Sequence, residues 1–164
     1  MSWIWETAVE LAAGIALALF LRRFVCLFAL VKGNSMLDTL RNRDVLFALR
    51  RGLCAKLRRF DVVLCRYPNR KQLFVKRIVA LPGERVAIVE GRLQIDAAAV
   101  EETFAARPSR RDMDERTLGP GEYFVLGDNR PASNDSRSVG PIREDMILAV
   151  ARFVVFPPRR IRRL

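Results

Sequence analysis

Apolar positions are spread unevenly along the chain. Trp3 to Leu21 (WIWETAVELAAGIALALFL) is almost continuously apolar, interrupted by Glu6 and Glu10 and closed by Arg22 and Arg23. Its cleanest part, Leu11 to Leu21, is shorter than the about 20 residues that cross a bilayer. The whole run, wound as a helix, is about 28 Å long at 1.5 Å per residue. Glu6 and Glu10 are four apart and share a face. They sit beside Trp3 and Trp5, a depth at which Trp is common, and Arg22 and Arg23 can snorkel to phosphates. No basic region precedes the apolar stretch, as a cleaved export signal would have. We therefore expect residues 1–23 to be a membrane anchor and residues 24–164 to form one further domain. Basic residues after the segment and acidic ones within it place the bulk of the chain in the cytoplasm by the charge rule alone.

Beyond the anchor the period shortens. Phe24 to Val31 is a β-suited run ending at the polar turn Lys32-Gly33-Asn34. Asp44–Leu49, Asp61–Tyr67 and Gln72–Leu81 read as strands, and Leu81-Pro82-Gly83-Glu84 as a turn. Arg85 to Ile95, broken at Glu90-Gly91, reads as a hairpin. Asp96 to Gly119 reads as a long polar loop in which Ala97-Ala98-Ala99 starts a short helix. Strand character resumes over Gly121–Leu126 and Ile147–Phe156. There is no internal repeat, and the expected class is mainly β behind one N-terminal transmembrane helix.

Composition sharpens this picture. A chain of 164 residues with 51% apolar and 29% charged residues is long enough for one packed domain and unlike a disordered segment. Its formal charge of +11 suits an anionic partner, either nucleic acid or lipid headgroups. The basic tail Arg159 to Leu164 reads as a solvated end or a lipid contact. There is no His, which excludes His-based triads and His-ligated metals. Cys26, Cys54 and Cys65 have no paired spacing and read as small buried hydrophobes.

Without His, a Ser nucleophile activated by a desolvated Lys is the main remaining nucleophile–base option. Ser35 lies in a turn after a strand, and Lys76 lies within the apolar LFVKRIVAL. Taken singly, Ser35 also reads as a turn former and Lys76 as a solvent-facing strand residue. The segment Gly127 to Arg137 is unusually dense in paired charges and hydroxyls directly after the strand YFVL.

Together these blocks resemble the bacterial type I signal peptidases, the Ser-Lys S26 family, in their shorter Gram-positive-like form. Gly33-Asn34-Ser35-Met36-Leu37-Asp38-Thr39-Leu40 is similar to the family's G-x-S-M-x-P-T-L. Phe60-Asp61-Val62-Val63-Leu64 is similar to its G-D-V-V strand. Val75-Lys76-Arg77 through Pro82-Gly83-Glu84 is similar to V-K-R-x-x-x-x-P-G-[DE], and Gly127 to Arg137 to G-D-N-x-x-x-S-x-D-S-R. Asp38 stands where the family more often has Pro.

The resemblance implies a compact antiparallel β catalytic domain and a membrane-bound endopeptidase with no cofactor or metal. It would cut signal peptides from secretory preproteins after Ala-x-Ala, on the extracytoplasmic side, against the charge rule. Ser35 is the implied nucleophile and Lys76 the base, with Ser133 orienting the amine. Asp135–Arg137 and Asp128–Arg77 are implied structural pairs. The Ser35 N–H is the implied oxyanion donor, and Gly33, where some members carry a Ser, has only its backbone. Leu30, Met36 and Val75, neighbours of the dyad in sequence, are expected pocket walls. Burial beside Val75 and Ile78, aided by the charge of Arg77, is expected to lower the pKa of Lys76. Anionic lipids are expected partners and nucleic acid is not. The rival readings are a pilin-processing peptidase of the same superfamily, a LexA-like self-cleaving regulator, and an inactive anchored protein. The LexA-like reading needs a DNA-binding segment where the apolar run stands.

Overall fold

The apolar N-terminus forms helix α1, Ser2–Phe20, continued by wider π-helical turns over Leu21–Val25. Within Trp3–Val25 an 18-residue window has a mean hydropathy of 1.7, and none of that window is buried against the rest of the chain. A core helix would be covered, so the helix has the length, polarity and exposure of a membrane span. The computed structural model describes residues 2–37, 39–54, 56–105 and 107–164. Asp38, and with it the departure from the family's Pro, lies outside the described residues.

The strand expected from Phe24 begins at Cys26. The helix runs on through Phe24 and Val25 because an unbroken apolar run carries no period to separate helix from strand. Helical winding stops where the Cys26 N–H bonds the Leu21 carbonyl and the backbone turns extended. Arg50 donates to the Arg22 carbonyl at 3.2 Å, tying the helix end to the sheet.

The larger sheet has eight strands: β1 (Cys26–Leu30), β2 (Val45–Arg50), β3 (Val62–Arg66), β4 (Leu73–Ala80), β9 (Glu122–Leu126), β10 (Ile142–Arg143), β11 (Ile147–Phe156) and β12 (Arg162–Arg163). Their order is β1-β2-β11-β3-β4-β9-β10, with β12 added alongside β11, and every described pair is antiparallel. The smaller sheet orders β7 (Ala98–Ala99), β6 (Arg92–Ile95), β5 (Arg85–Val89) and β8 (Met113–Thr117). Buried apolar residues form three clusters. One lies under β1, β2 and β11 (Leu46, Ala48, Ala151), one behind β3 and β4 (Val63, Cys65, Ile78), and one where the smaller sheet meets β9 (Val86, Ile88, Phe124).

The stretch 96–119 corrects the sequence reading. Asp96 and Ala97 have φ of 50° and 66°, so they make a tight two-residue turn rather than a helix start. The chain returns on itself, with Ile95 opposite Ala98. Later, Met113–Thr117 pairs with β5 as strand β8, although MDERT shows no apolar alternation. An edge strand faces water on both sides and needs none.

The C-terminal basic tail is tied to the fold at alternate residues, while Arg159, Ile161 and Arg163 remain exposed. Arg162 and Arg163 pair with Val154 and Phe153. Leu164 packs on the first core cluster, and Arg160 grips the buried Asp44 with two bonds of 2.9 Å.

Candidate active site

Antiparallel register assembles the site. Val63 pairs with Lys76 across β3 and β4, and Arg77 pairs with Leu126 across β4 and β9. One step past Leu126, β9 leaves the sheet at Gly127, beside Lys76. The segment 127–137 is thus delivered to the strand carrying Lys76. On the other side, β1 ends in the turn that holds Ser35. That turn is closed by Leu37 N–H on the Asn34 carbonyl (3.0 Å) and Leu40 N–H on the Met36 carbonyl (2.7 Å).

The two candidate residues meet. Lys76 Nζ lies 2.6 Å from Ser35 Oγ. Lys76 is 2% exposed and, among the described residues, forms no ion pair. It shares its strand face with Phe74 and Ile78, and both pack in the second core cluster. Burial holds its pKa below the ordinary lysine value; Asp135, Cys65 and Asp128 oppose that shift, and Arg137 adds to it. Arg77 is not the contributing cation. It is the next residue along the strand and points to the opposite face, where Asp128 neutralises it. The buried Cys65 thiol is pushed up to about 12 by desolvation, so it stays neutral beside the amine.

The supporting pairs are present. Arg77 binds Asp128 through Nε and a terminal nitrogen at 2.9 and 2.7 Å. Arg137 binds Asp135 the same way, both at 2.8 Å. Asp135 also accepts the Gly127 N–H at 3.1 Å. Fully buried carboxylates need such pairing.

Two supporting residues differ from expectation. Ser133 does not bond the lysine amine: its Oγ is buried and meets no hydrogen-bond partner among the described residues. It sits instead against Gly127, where an added Cβ would overlap Ser133 Oγ and the Ser35 carbonyl. Gly33 has φ +92°, a conformation that needs Gly, and its N–H is engaged by Asn42 Oδ1 at 3.2 Å. It has no spare backbone donor to offer a substrate.

Leu30, Met36 and Val75 all line one cleft of about 400 Å³, together with Ser35 and Lys76. Leu30 is well exposed there, whereas Met36 is buried in the core beneath. Other residues had no assigned role in the sequence. Asn129 bonds the Ser35 carbonyl through its N–H and the Asn34 carbonyl through Nδ2, each at 3.0 Å. Thr39 donates to Asp128 at 2.5 Å. Phe104 lies 3.9 Å from the Arg77 guanidinium, and Glu102 pairs with Arg130. Asn129 and Thr39 stand inside recognisable blocks. For Phe104 the one available signal was a lone aromatic residue in a polar loop.

Comparisons with known proteins identify the relatives of this chain. A family described as signal peptidase, peptidase S26, matches residues 4–156. A signal peptidase I of Bacillus amyloliquefaciens is 33% identical over 94% of this chain and 86% of its own length. Signal peptidase I T of Bacillus subtilis is 33% identical over 96% and 87%. A crystal structure of a signal peptidase I from Enterococcus faecalis V583 is 31% identical with a TM-score of 0.50, covering 58% of this chain and 96% of that one.

Proposed function

The chain belongs to the peptidase S26 family of signal peptidases, and on that premise we propose that it removes signal peptides from exported preproteins with Ser35 as nucleophile and Lys76 as base. The observation that carries this is the 2.6 Å approach of a buried lysine amine, without an ion pair among the described residues, to a serine hydroxyl. A neutral amine accepts the Ser35 proton as Oγ attacks the scissile carbonyl. The Asn34 carbonyl is held by Asn129 and Leu37. In a planar trans peptide the Ser35 N–H points the opposite way, free to stabilise the developing oxyanion. The protonated Lys76 then passes its proton to the leaving amine. The acyl group remains as an ester on Ser35 until Lys76 activates a water.

The substrate lies extended in the cleft beside Leu30 and Val75, adding backbone bonds to strand edges. The shallow apolar walls suit small residues at the first and third positions before the cut. Helix α1 anchors the enzyme, with Arg22 and Arg23 near anionic headgroups. The catalytic domain faces outward, where translocated preproteins are. Incubation of the detergent-solubilised enzyme with a preprotein, followed by mass spectrometry, tests this reading. Cleavage after Ala-x-Ala is expected with the wild type and is lost in a folded Ser35→Ala. Normal turnover by Ser35→Ala removes Ser35 from the role of nucleophile.

A further inference from the structure

The polar segment after β7 runs against the catalytic elements and touches them repeatedly. Glu102 takes both terminal nitrogens of Arg130, at 2.8 and 2.5 Å. Phe104 covers the Arg77 guanidinium and packs on Phe60 with ring centroids 5.0 Å apart. Arg107 forms a parallel backbone bridge with Asn129. Ser109 Oγ accepts from Arg137 at 3.0 Å. This segment lies between the third and fourth sequence blocks quoted above and belongs to neither.

From these contacts we infer that Glu102 is a positioning residue for the Ser35–Lys76 pair, acting through Arg130 and Gly127; the inference rests on the peptidase reading above. Arg130 has a side chain only 2% exposed and Glu102 one 11% exposed, so the guanidinium depends on this carboxylate for its counter-charge. A two-point grip fixes the guanidinium plane. That plane aims Nε at the Gly127 carbonyl, 3.0 Å away. Gly127 in turn sits close against Ser133 and the Ser35 carbonyl, leaving no space even for a Cβ on that side. A displaced Gly127 therefore shifts the Ser35 turn relative to Lys76. Gln at position 102 presents one oxygen and one NH2 to the guanidinium, so one of the two bonds is lost and two donors face each other.

The test compares full-length wild type, Ser35→Ala, Glu102→Gln, Glu102→Asp and the double variant Glu102→Gln/Arg130→Met in detergent. A fluorogenic Ala-x-Ala peptide reports kcat and KM per folded molecule, and Tm reports stability. For Glu102→Gln we expect kcat to fall about tenfold, roughly 1.4 kcal/mol of barrier, with KM within twofold. Glu102→Asp keeps the charge and should recover part of kcat. In the double variant the unpaired buried charge is gone and Tm should recover, yet kcat should stay low because the Gly127 carbonyl has lost its donor. A folded Glu102→Gln with kcat within twofold of wild type overturns the inference. So does a double variant whose kcat returns together with its Tm. Should Glu102→Gln not fold, Glu102→Asp and the double variant decide by the same criteria. If the wild type itself leaves the peptide intact, the peptidase reading falls and the inference with it, an outcome distinct from a loss confined to the position 102 variants.

Discussion

In the proposed reaction, one buried atom, Nζ of Lys76, sets the working pH range. A free lysine titrates near 10.4, and desolvation lowers that value in the fold. The charged form is disfavoured by folding, so Lys76 costs stability wherever it is protonated in both states. That cost fades as pH rises from the folded pKa towards the unfolded one. The expected kcat/KM on a peptide rises with pH through one ionisation below the ordinary lysine range. With no His in the chain, no step near 6.5 is expected. Lys76→Arg should lose roughly 10²–10⁴-fold in kcat, the usual loss with a general base, because guanidinium keeps its proton. An active Lys76→Arg would transfer the base role elsewhere. Gly127 makes a second residue-scale case. Its replacement by Ala puts a methyl group where Ser133 and the Ser35 backbone already stand. We expect Gly127→Ala to fold, since no left-handed φ is involved, and to lose on the order of 10²-fold in kcat/KM, as ångström-scale misplacement does. Near-normal kcat/KM in Gly127→Ala would show that the Ser35 turn can yield without harm.

Among the elements, the polar C-terminal tail takes a structural role its composition hides. The tail segment β12 with Arg160 closes over the loop between β1 and β2 that carries Ser35. Arg160 holds Asp44, Asp44 accepts the Arg41 N–H at 2.9 Å, and Arg162 donates to the Thr39 carbonyl. Burial alone would raise the Asp44 pKa. The bonds from Arg160 and Arg41, and the charges of Arg160 and Arg162, outweigh it and hold the carboxyl low. The sign follows: Asp44 stabilises the fold above its unfolded value near 3.9, and that contribution is lost as pH falls through the lower folded value. Asp44→Asn should lose about 2 kcal/mol at pH 7, in the range for hydrogen bonds to a charged group. Its deficit relative to wild type should shrink below about pH 4. Thermal melts at pH 7 and pH 3 measure both; a pH-independent deficit would mean that the charge is not what stabilises.

For the whole molecule, the candidate membrane span and the proposed catalytic pair occupy separate parts. Helix α1 is exposed along its length and meets the sheet at its exit, where Arg50 holds the Arg22 carbonyl. Ser35 in the turn after β1, Lys76 on β4 and the supporting segment after β9 all lie beyond the helix. A variant lacking residues 1–25 should therefore stay in the supernatant after ultracentrifugation without detergent. It should cut a peptide within a fewfold of the full-length rate, and a membrane-embedded preprotein more slowly. Loss of peptide cleavage in a folded truncation would show that the helix helps to build the site.

The apolar N-terminal helix, the central strands and the Ser35 and Lys76 candidates were all legible in the sequence, because each leaves a local trace. An unbroken apolar run, a two-residue period and a Gly-Asn-Ser turn are properties of neighbours along the chain. Motif order then joined Ser35 to Lys76 across 41 positions of separation. What the sequence could not convey were pairings whose partners are distant and whose residues are ordinary. Strand β8 carries no alternation because its pattern of exposure is set by lying at an edge. Glu102 and Arg160 look like solvated charges until the fold buries Arg130 and Asp44 against them. Nor could the sequence say that the Ser133 hydroxyl would face Gly127 rather than the amine. Local patterning decided which segments become helix or strand. Burial decided which polar groups had to find one another, and burial exists only once the sheets have closed.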